Sequence, residues 1–284
     1  MKLAVLADIH ANLVALEAVM AHIDAWQPDQ VVVAGDVVNR GPRPLECLRL
    51  VQARQRGDGW LVVRGNHEDY VISHNEPGAP RAGPRFELQQ HAYWTYRQLN
   101  GDVTALKAMP FQRSLAAPDG REVRITHASM AGIRDGIYPD TSAPELRRKI
   151  YPPPALLCVG HTHRPLIRHL DHTLVVNVGS AGLPFDDDPR PSYAQLQWQR
   201  GEWQASIVRL DYDRQQAERD FFETDFFEGS GPIADLILDE LRTAHSRLFQ
   251  WTAEYQASIL AGEISMAEST RQFLANLNGR SSGS

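Results

Sequence analysis

The sequence predicts an α/β fold in which two sheets pack together, and three observations lead there. Short apolar runs alternate with helical stretches over residues 2–63, the pattern of βαβ units around a parallel sheet. The second half is richer in strand-like runs and closes with a hairpin, which a single doubly wound sheet does not explain. Five polar clusters each end an apolar run: Asp8-Ile9-His10, Gly35-Asp36, Gly65-Asn66-His67-Glu68, Thr126-His127 and Gly160-His161-Thr162-His163. Ligands of open α/β sheets bind outside the carboxyl ends of the strands, so these clusters are expected to converge.

Residues 2–7 (KLAVLA) form the first buried strand. Asn12 reads as the N-cap of a helix in which Leu13, Leu16, Met20 and Ile23 recur at helical spacing. Pro28-Asp29 breaks that helix, and Val31 to Ala34 reads as the second strand. Pro44 stands where the next helix begins, with Leu45, Leu48 and Val51 on one face. Trp60 to Val63 supplies a third strand. Residues 73–85 hold three prolines and two glycines and read as a loop, after which Phe86 to Leu99 reads as one helix. We take 69–110 as a helical insertion over the strand ends, a candidate lid. Further strands are expected near 122–126, 155–159 and 173–178, and 192–199 with 202–210 alternate around Arg200-Gly201 as a hairpin. From about residue 213 the pattern is helical, with Ile233, Leu236, Ile237, Leu241, Leu248 and Ile259 on a broad apolar stripe. The expected organisation is a domain over 1–212 carrying the lid, a helical appendage over 213–277 and a disordered tail over 278–284.

Hydrophobic content of 43% and charged content of 23% are ordinary for a globular chain of 284 residues. A net charge of −6 argues against extended nucleic-acid binding or an anionic membrane surface, while leaving room for a local basic pocket. Cys47 and Cys158 both fall in packed elements and read as reduced thiols. With no signal-like or membrane-length apolar run, the expectation is a soluble cytoplasmic protein. The oligomeric state is left open.

The clusters offer enough carboxylate, amide and imidazole donors for two divalent cations, and a two-metal site suggests hydrolysis of a phosphate ester. Asp36 ends the second strand beside the first, so it is the natural bridge. Asp8, His10 and His163 then complete one ion, and Asn66, His127 and His161 the other. If their segment is extended, His161 and His163 lie on the same side. His67 adjoins a proposed ligand and is the candidate general acid. Arg40 is a candidate phosphate clamp, because guanidinium matches phosphate oxygens in a fork, and Asn66 is expected to share that contact. Glu68 is expected to orient its neighbours. Mixed histidine, aspartate and asparagine donors suit Mn²⁺, Fe²⁺ or Zn²⁺, with Mn²⁺ the first expectation.

The series DIH, GDVVNRGP, GNHE, TH and GHTH resembles the calcineurin-like metallophosphoesterase superfamily. NVGSAGLP at 177–184, followed by DPRPSY, resembles a turn of its small phosphodiesterase-like members. The resemblance covers roughly residues 1–200. It implies a four-layer α/β/β/α sandwich, the ligand assignment above, and in-line attack of a metal-bound hydroxide on a small phosphate ester or nucleotide. Two departures matter. Protein phosphatases of the superfamily carry GDxVDRG, whereas Asn39 stands here at the second aspartate, and Ala11 replaces the glycine after DxH. An amide does not stabilise an imidazolium as a carboxylate does, so the phosphodiesterase-like branch is favoured.

Several residues read more simply. His22, His74, His91, His169, His172 and His245 match no motif, and Asp186-Asp187-Asp188 reads as an exposed loop. Tyr93, Trp94 and Tyr96 read as core-facing aromatics, and Arg81 and Arg85 as solvated loop residues instead of contacts to a second phosphate. Two other functions compete: a catalytically weak binding scaffold, and a sensor that binds a nucleotide and hydrolyses it slowly. A complete ligand set with His67 weighs against the scaffold.

Overall fold

The computed structural model describes the backbone of residues 1–281 and the side chains of residues 1–277. The first half runs β1 (Lys2–Leu6), α1 (Leu13–Trp26), β2 (Gln30–Val33), α2 (Pro44–Asp58) and β3 (Leu61–Val62). Four short helices follow: α3 (Asn66–Ser73), α4 (Pro84–Glu87), α5 (Gln90–Gln98) and α6 (Thr104–Lys107). Next come β4 (Gln112–Ala116), β5 (Glu122–Thr126), α7 (Ala143–Lys149), β6 (Leu156–Val159), β7 (Leu166–Leu170), β8 (Thr173–Asn177), β9 (Ser192–Gln199) and β10 (Glu202–Arg209). The remainder is helical: α8 (Arg214–Glu223), α9 (Phe226–Ser230), α10 (Ala234–Thr243), α11 (Arg247–Ala261) and α12 (Met266–Ser281). Among the described residues, no helix is long and apolar enough to cross a membrane.

Two five-stranded sheets form, in the orders β10-β9-β1-β2-β3 and β4-β5-β6-β8-β7. The first is parallel over β1, β2 and β3 with β9 and β10 antiparallel on one side, and the second is parallel over β5, β6 and β8 with β4 and β7 antiparallel at its edges. Leu3, Val5, Val32, Ile125, Cys158 and Val176 meet between the sheets, whereas Ala4, Leu6, Val31 and Val33 face α1 and α2. On the far side, Leu157, Val159 and Val175 pack with Leu146 of α7. The result is the four-layer sandwich, and it explains why the central strands read as continuous apolar runs: both faces are covered.

The local signals hold at the helix starts. Asn12 Oδ1 accepts the Ala15 N–H at 3.1 Å, and Pro44 occupies the first turn of α2, where a missing N–H carries no penalty. Other expectations need correction. Phe86 to Leu99 is not one helix: α4 and α5 are separate, and the break turns α5 so that Trp94 docks edge-on against Phe226, ring centres 4.9 Å apart. β4 and β7 went unread because both are sheet edges, with half-exposed, polar-rich sequences that lack an apolar run. The C-terminal apolar residues do not form one stripe. They fall on and around α10 and α11, with Ala244 in the left-handed region between these helices, and gather with Phe221, Phe226 and Trp251 in a third core. Within 69–110, Val71, Ala92, Leu99 and Leu106 join the core under α1 and α2. The tail expected over 278–284 meets α12 as far as Ser281, and its remainder lies outside the described residues.

Candidate metal centre

The polar clusters converge because the loops after the central strands are bound to one another. Asp8 N–H donates to Gly35 O and His10 N–H to Asp36 O, each at 3.0 Å, which carries the β1–β2 ladder beyond the strands. Ala181 N–H reaches Ala7 O at 2.8 Å, and Ser180 Oγ donates to Asp8 O at 2.7 Å, so the turn after β8 clasps the first cluster. Glu68 is the principal fastener. Its carboxylate accepts backbone N–H groups of Gly65 (2.7 Å), Val37 (2.8 Å), Asp36 (2.9 Å) and Val38 (3.2 Å), fixing the loop after β2 to the start of α3. The orienting role expected of Glu68 is therefore present. Burial and the neighbouring Asp36 carboxylate raise its pKa to about 7. Gly65 is required here, since a Cβ would collide with the Asp36 carboxylate.

Every expected ligand reaches the site, and three of the four histidines are aimed by their far nitrogens. Nδ1 of His10, His127 and His163 points to the carbonyls of Asn39 (3.3 Å), Ala34 (2.8 Å) and Leu183 (2.5 Å). In all three Nδ1–H donates, and at His10 and His163 Nε2 keeps its lone pair for the centre. His10 Nε2 then lies 3.1 Å from His163 Nε2, and His127 Nε2 3.2 Å from His161 Nδ1 and 2.9 Å from Asn66 Oδ1. Asp36 Oδ2 stands between the groups, 3.7 Å from His10 Nε2 and 3.3 Å from His127 Nε2. Asp8 Oδ1 lies 3.4 Å from His163 Nε2, is buried and has no hydrogen-bond partner among the described residues.

This arrangement fits cations. Lone pairs that face each other at these separations repel unless a proton or a metal ion lies between them. Burial and the other basic groups hold His10 far below the usual imidazole range, and burial with His127 takes His161 to about 3. His127 is the exception: burial opposes its charge, but Asp36 beside it pushes it up to about 10. His161 and His163 do not converge by strand alternation, as the expectation of an extended segment had it. Both take left-handed backbone conformations (φ 69° and 56°), as do Asp8, His10, Asp36, Asn39 and Arg40. Such strain gathers where surrounding contacts over-determine the backbone.

His67 is buried beside His10 and Asp36, with its backbone N–H on Asp36 Oδ1 (2.9 Å). Asn39 Oδ1 accepts the Arg40 N–H at 2.9 Å, so its Nδ2 is the atom 2.9 Å from His67 Nδ1. Asn39 therefore donates, and neutral His67 carries its proton on Nε2. Burial, then His10 and Arg40, keeps that imidazole neutral.

Sequence reasoning missed Glu240. It is fully buried on α10, accepts the Leu248 N–H at 2.8 Å and stands 3.5 Å from Arg40 Nη1. Its signal was a carboxylate on the apolar face of Leu236, Ile237 and Leu241. The wall made by α11 was missed too. With Arg40, the α11 residues Leu248, Phe249 and Trp251 line a cavity of about 1000 Å³ whose floor holds Asp36, Asn66, His67, His161 and His163, and Glu240 stands behind that lining against Arg40. Arg85, exposed as expected, and His91 also line it, and Trp94 is core-facing as expected.

The model of the calcineurin-like phosphoesterase superfamily domain matches residues 1–201. An uncharacterized protein of Methanocaldococcus jannaschii is 26% identical over 241 residues, 76% of this chain and 89% of that protein. A symmetrical bis(5′-nucleosyl)-tetraphosphatase of Chromohalobacter salexigens is 40% identical over 75 residues, only 26% of each chain. The crystal structure of a metallophosphoesterase from Sphaerobacter thermophilus superposes with a TM-score of 0.66 and 26% identity, covering 86% of this chain and 100% of that one.

Proposed function

Because this chain belongs to the calcineurin-like phosphoesterase superfamily, we propose that it hydrolyses small phosphate esters at a pair of divalent cations, Mn²⁺ first among them. Asp8, His10 and His163 hold one, Asn66, His127 and His161 the other, and Asp36 is shared. The observation that carries this reading is the set of facing ring nitrogens beside the unpartnered Asp8 Oδ1. When bound, two such cations draw charge off the phosphoryl oxygens and lower the pKa of a nearby water toward about 7.

The chain's own groups do the rest. Arg40, backed by Glu240, receives a phosphoryl oxygen in its guanidinium fork. Asn66 turns Oδ1 to His127 and leaves its amide N–H groups for the substrate. His67 donates Nε2–H to the leaving oxygen. A neutral imidazole is a weak acid, so the site favours leaving groups that depart with little protonation, such as aryl or phosphoryl oxygens. Residues 1–212 form the phosphoesterase domain with the 69–110 segment at the cavity rim, and 213–277 form its back wall. Both cysteines are free and buried, which supports a cytoplasmic setting.

The test is turnover of bis-p-nitrophenyl phosphate and p-nitrophenyl phosphate by Mn²⁺-loaded protein, with metal content measured in parallel. Asp36→Asn and Asn66→Ala are expected to lose activity about a hundredfold or more while circular dichroism stays native. Full activity in either variant would sink the assignment. The ratio of the two wild-type rates reports diester against monoester preference.

A further inference from the structure

Beyond Arg40 the cavity changes character. Arg85, Arg134 and Arg164 line its mouth, all exposed, and none has an ion-pair partner among the described residues. Arg134 stacks over Tyr70, 4.9 Å from the ring centre, and Arg164 Nε donates to Phe185 O at 3.0 Å. Asp36, on the floor, is the sole carboxylate in the lining among the described residues, although the whole chain carries a net charge of −6. Acidic partners have thus been kept away from these three guanidinium groups, and a wall of one sign focuses its field into a cleft.

The apolar side points the same way. Tyr138, Phe249 and Leu260 are 39%, 68% and 42% exposed, and these large side chains border this one cavity. Trp251 of α11 also lines it, and its indole N–H, like Arg40 Nε, lacks a hydrogen-bond partner among the described residues. A volume of about 1000 Å³ lies at the top of the range for small-molecule sites and far exceeds what one phosphoryl group fills.

We propose that the mouth is a second subsite, which takes the far end of a phosphoester bearing a second phosphate-like anion and a flat aromatic group. Arg85, Arg134 and Arg164 receive the anion, and Tyr138 with the α11 side chains Phe249 and Leu260 receives the aromatic face. The C-terminal helices are then part of the specificity machinery. This subsite rests on the phosphoesterase reading above for the position of the reacting phosphate, but its ligand preference is measurable without turnover.

The experiment is calorimetric titration of the Mn²⁺-loaded full chain with inorganic phosphate, adenosine 5′-monophosphate and adenosine 3′,5′-bisphosphate. Affinity is expected to rise about tenfold at each step, the first from the aromatic group and the second from the added anion. Arg85→Gln with Arg134→Gln is expected to bring the bisphosphate within about threefold of the monophosphate, and Phe249→Ser to weaken both adenosine ligands together. Equal affinity of the bisphosphate and monophosphate for the wild type would overturn the second subsite. So would a double variant that loses all three ligands equally, which marks a diffuse field and not a site. Turnover of bis-p-nitrophenyl phosphate is scored separately: its absence with the ligand order intact strikes the hydrolase reading alone, and its presence without that order strikes the subsite alone.

Discussion

Asn39 decides what His67 does. Its amide is oriented by the Arg40 N–H, so it donates to His67 Nδ1 where a carboxylate would accept, and the proton sits on Nε2. Asn39→Asp reverses that bond. An ionised carboxylate favours the imidazolium, whose formation burial, His10 and Arg40 now oppose, so the pKa of His67 rises. The protonated fraction then persists to higher pH. The expected outcome is an alkaline shift of the falling limb of the pH–rate profile by about one unit, with faster cleavage of esters that have poor leaving groups. Profiles on an alkyl and an aryl ester check it, and coincident curves for variant and parent would contradict it. Asn39 was singled out in the sequence by its departure from a motif. Its donor role was not legible, because that depends on which amide atom the Arg40 N–H takes.

At the scale of elements, one buried carboxylate joins two helices to the site. Glu240 holds the Leu248 N–H at the start of α11 and faces Arg40 across the cavity wall. Glu240→Gln keeps an acceptor for Leu248 and removes the charge behind Arg40. It is expected to raise KM for bis-p-nitrophenyl phosphate about threefold to tenfold with a smaller change in kcat. In an Arg40→Ala background the same change is expected to do less than about twofold, since the coupled partner is gone. Additive effects would show Glu240 to be structural only. Elements also set what could be read beforehand. The central strands were legible because both faces are buried, whereas β4 and β7 were not, because an edge strand keeps polar residues. The break between α4 and α5 serves a contact of Trp94 with α9, more than a hundred residues away in the chain, and no local signal encodes it.

At the scale of the whole molecule, five loops from two sheets converge, three of them through left-handed backbone conformations, on a ligand set that includes the unpartnered Asp8 Oδ1. Cations that bind this assembled set and not the unfolded chain stabilise the fold by about 2.7 kcal/mol at a hundredfold excess over Kd. For a domain of this size that corresponds to a melting temperature about 5–10 °C higher. Calorimetry with chelator and after reloading with Mn²⁺ checks it, and identical transitions would remove the metal-centre reading. The sequence by itself determined the two-sheet architecture, the helix starts at Asn12 and Pro44 and the identity of the converging residues. Each of these rests on local chemistry: apolar runs, caps, and donor types at strand ends. Only the tertiary structure decided which nitrogen of each histidine faces inward, that Glu240 backs Arg40, and that α11 walls the cavity. Those depend on groups far apart in the chain meeting at hydrogen-bond distance, and spacing along a sequence carries no record of that.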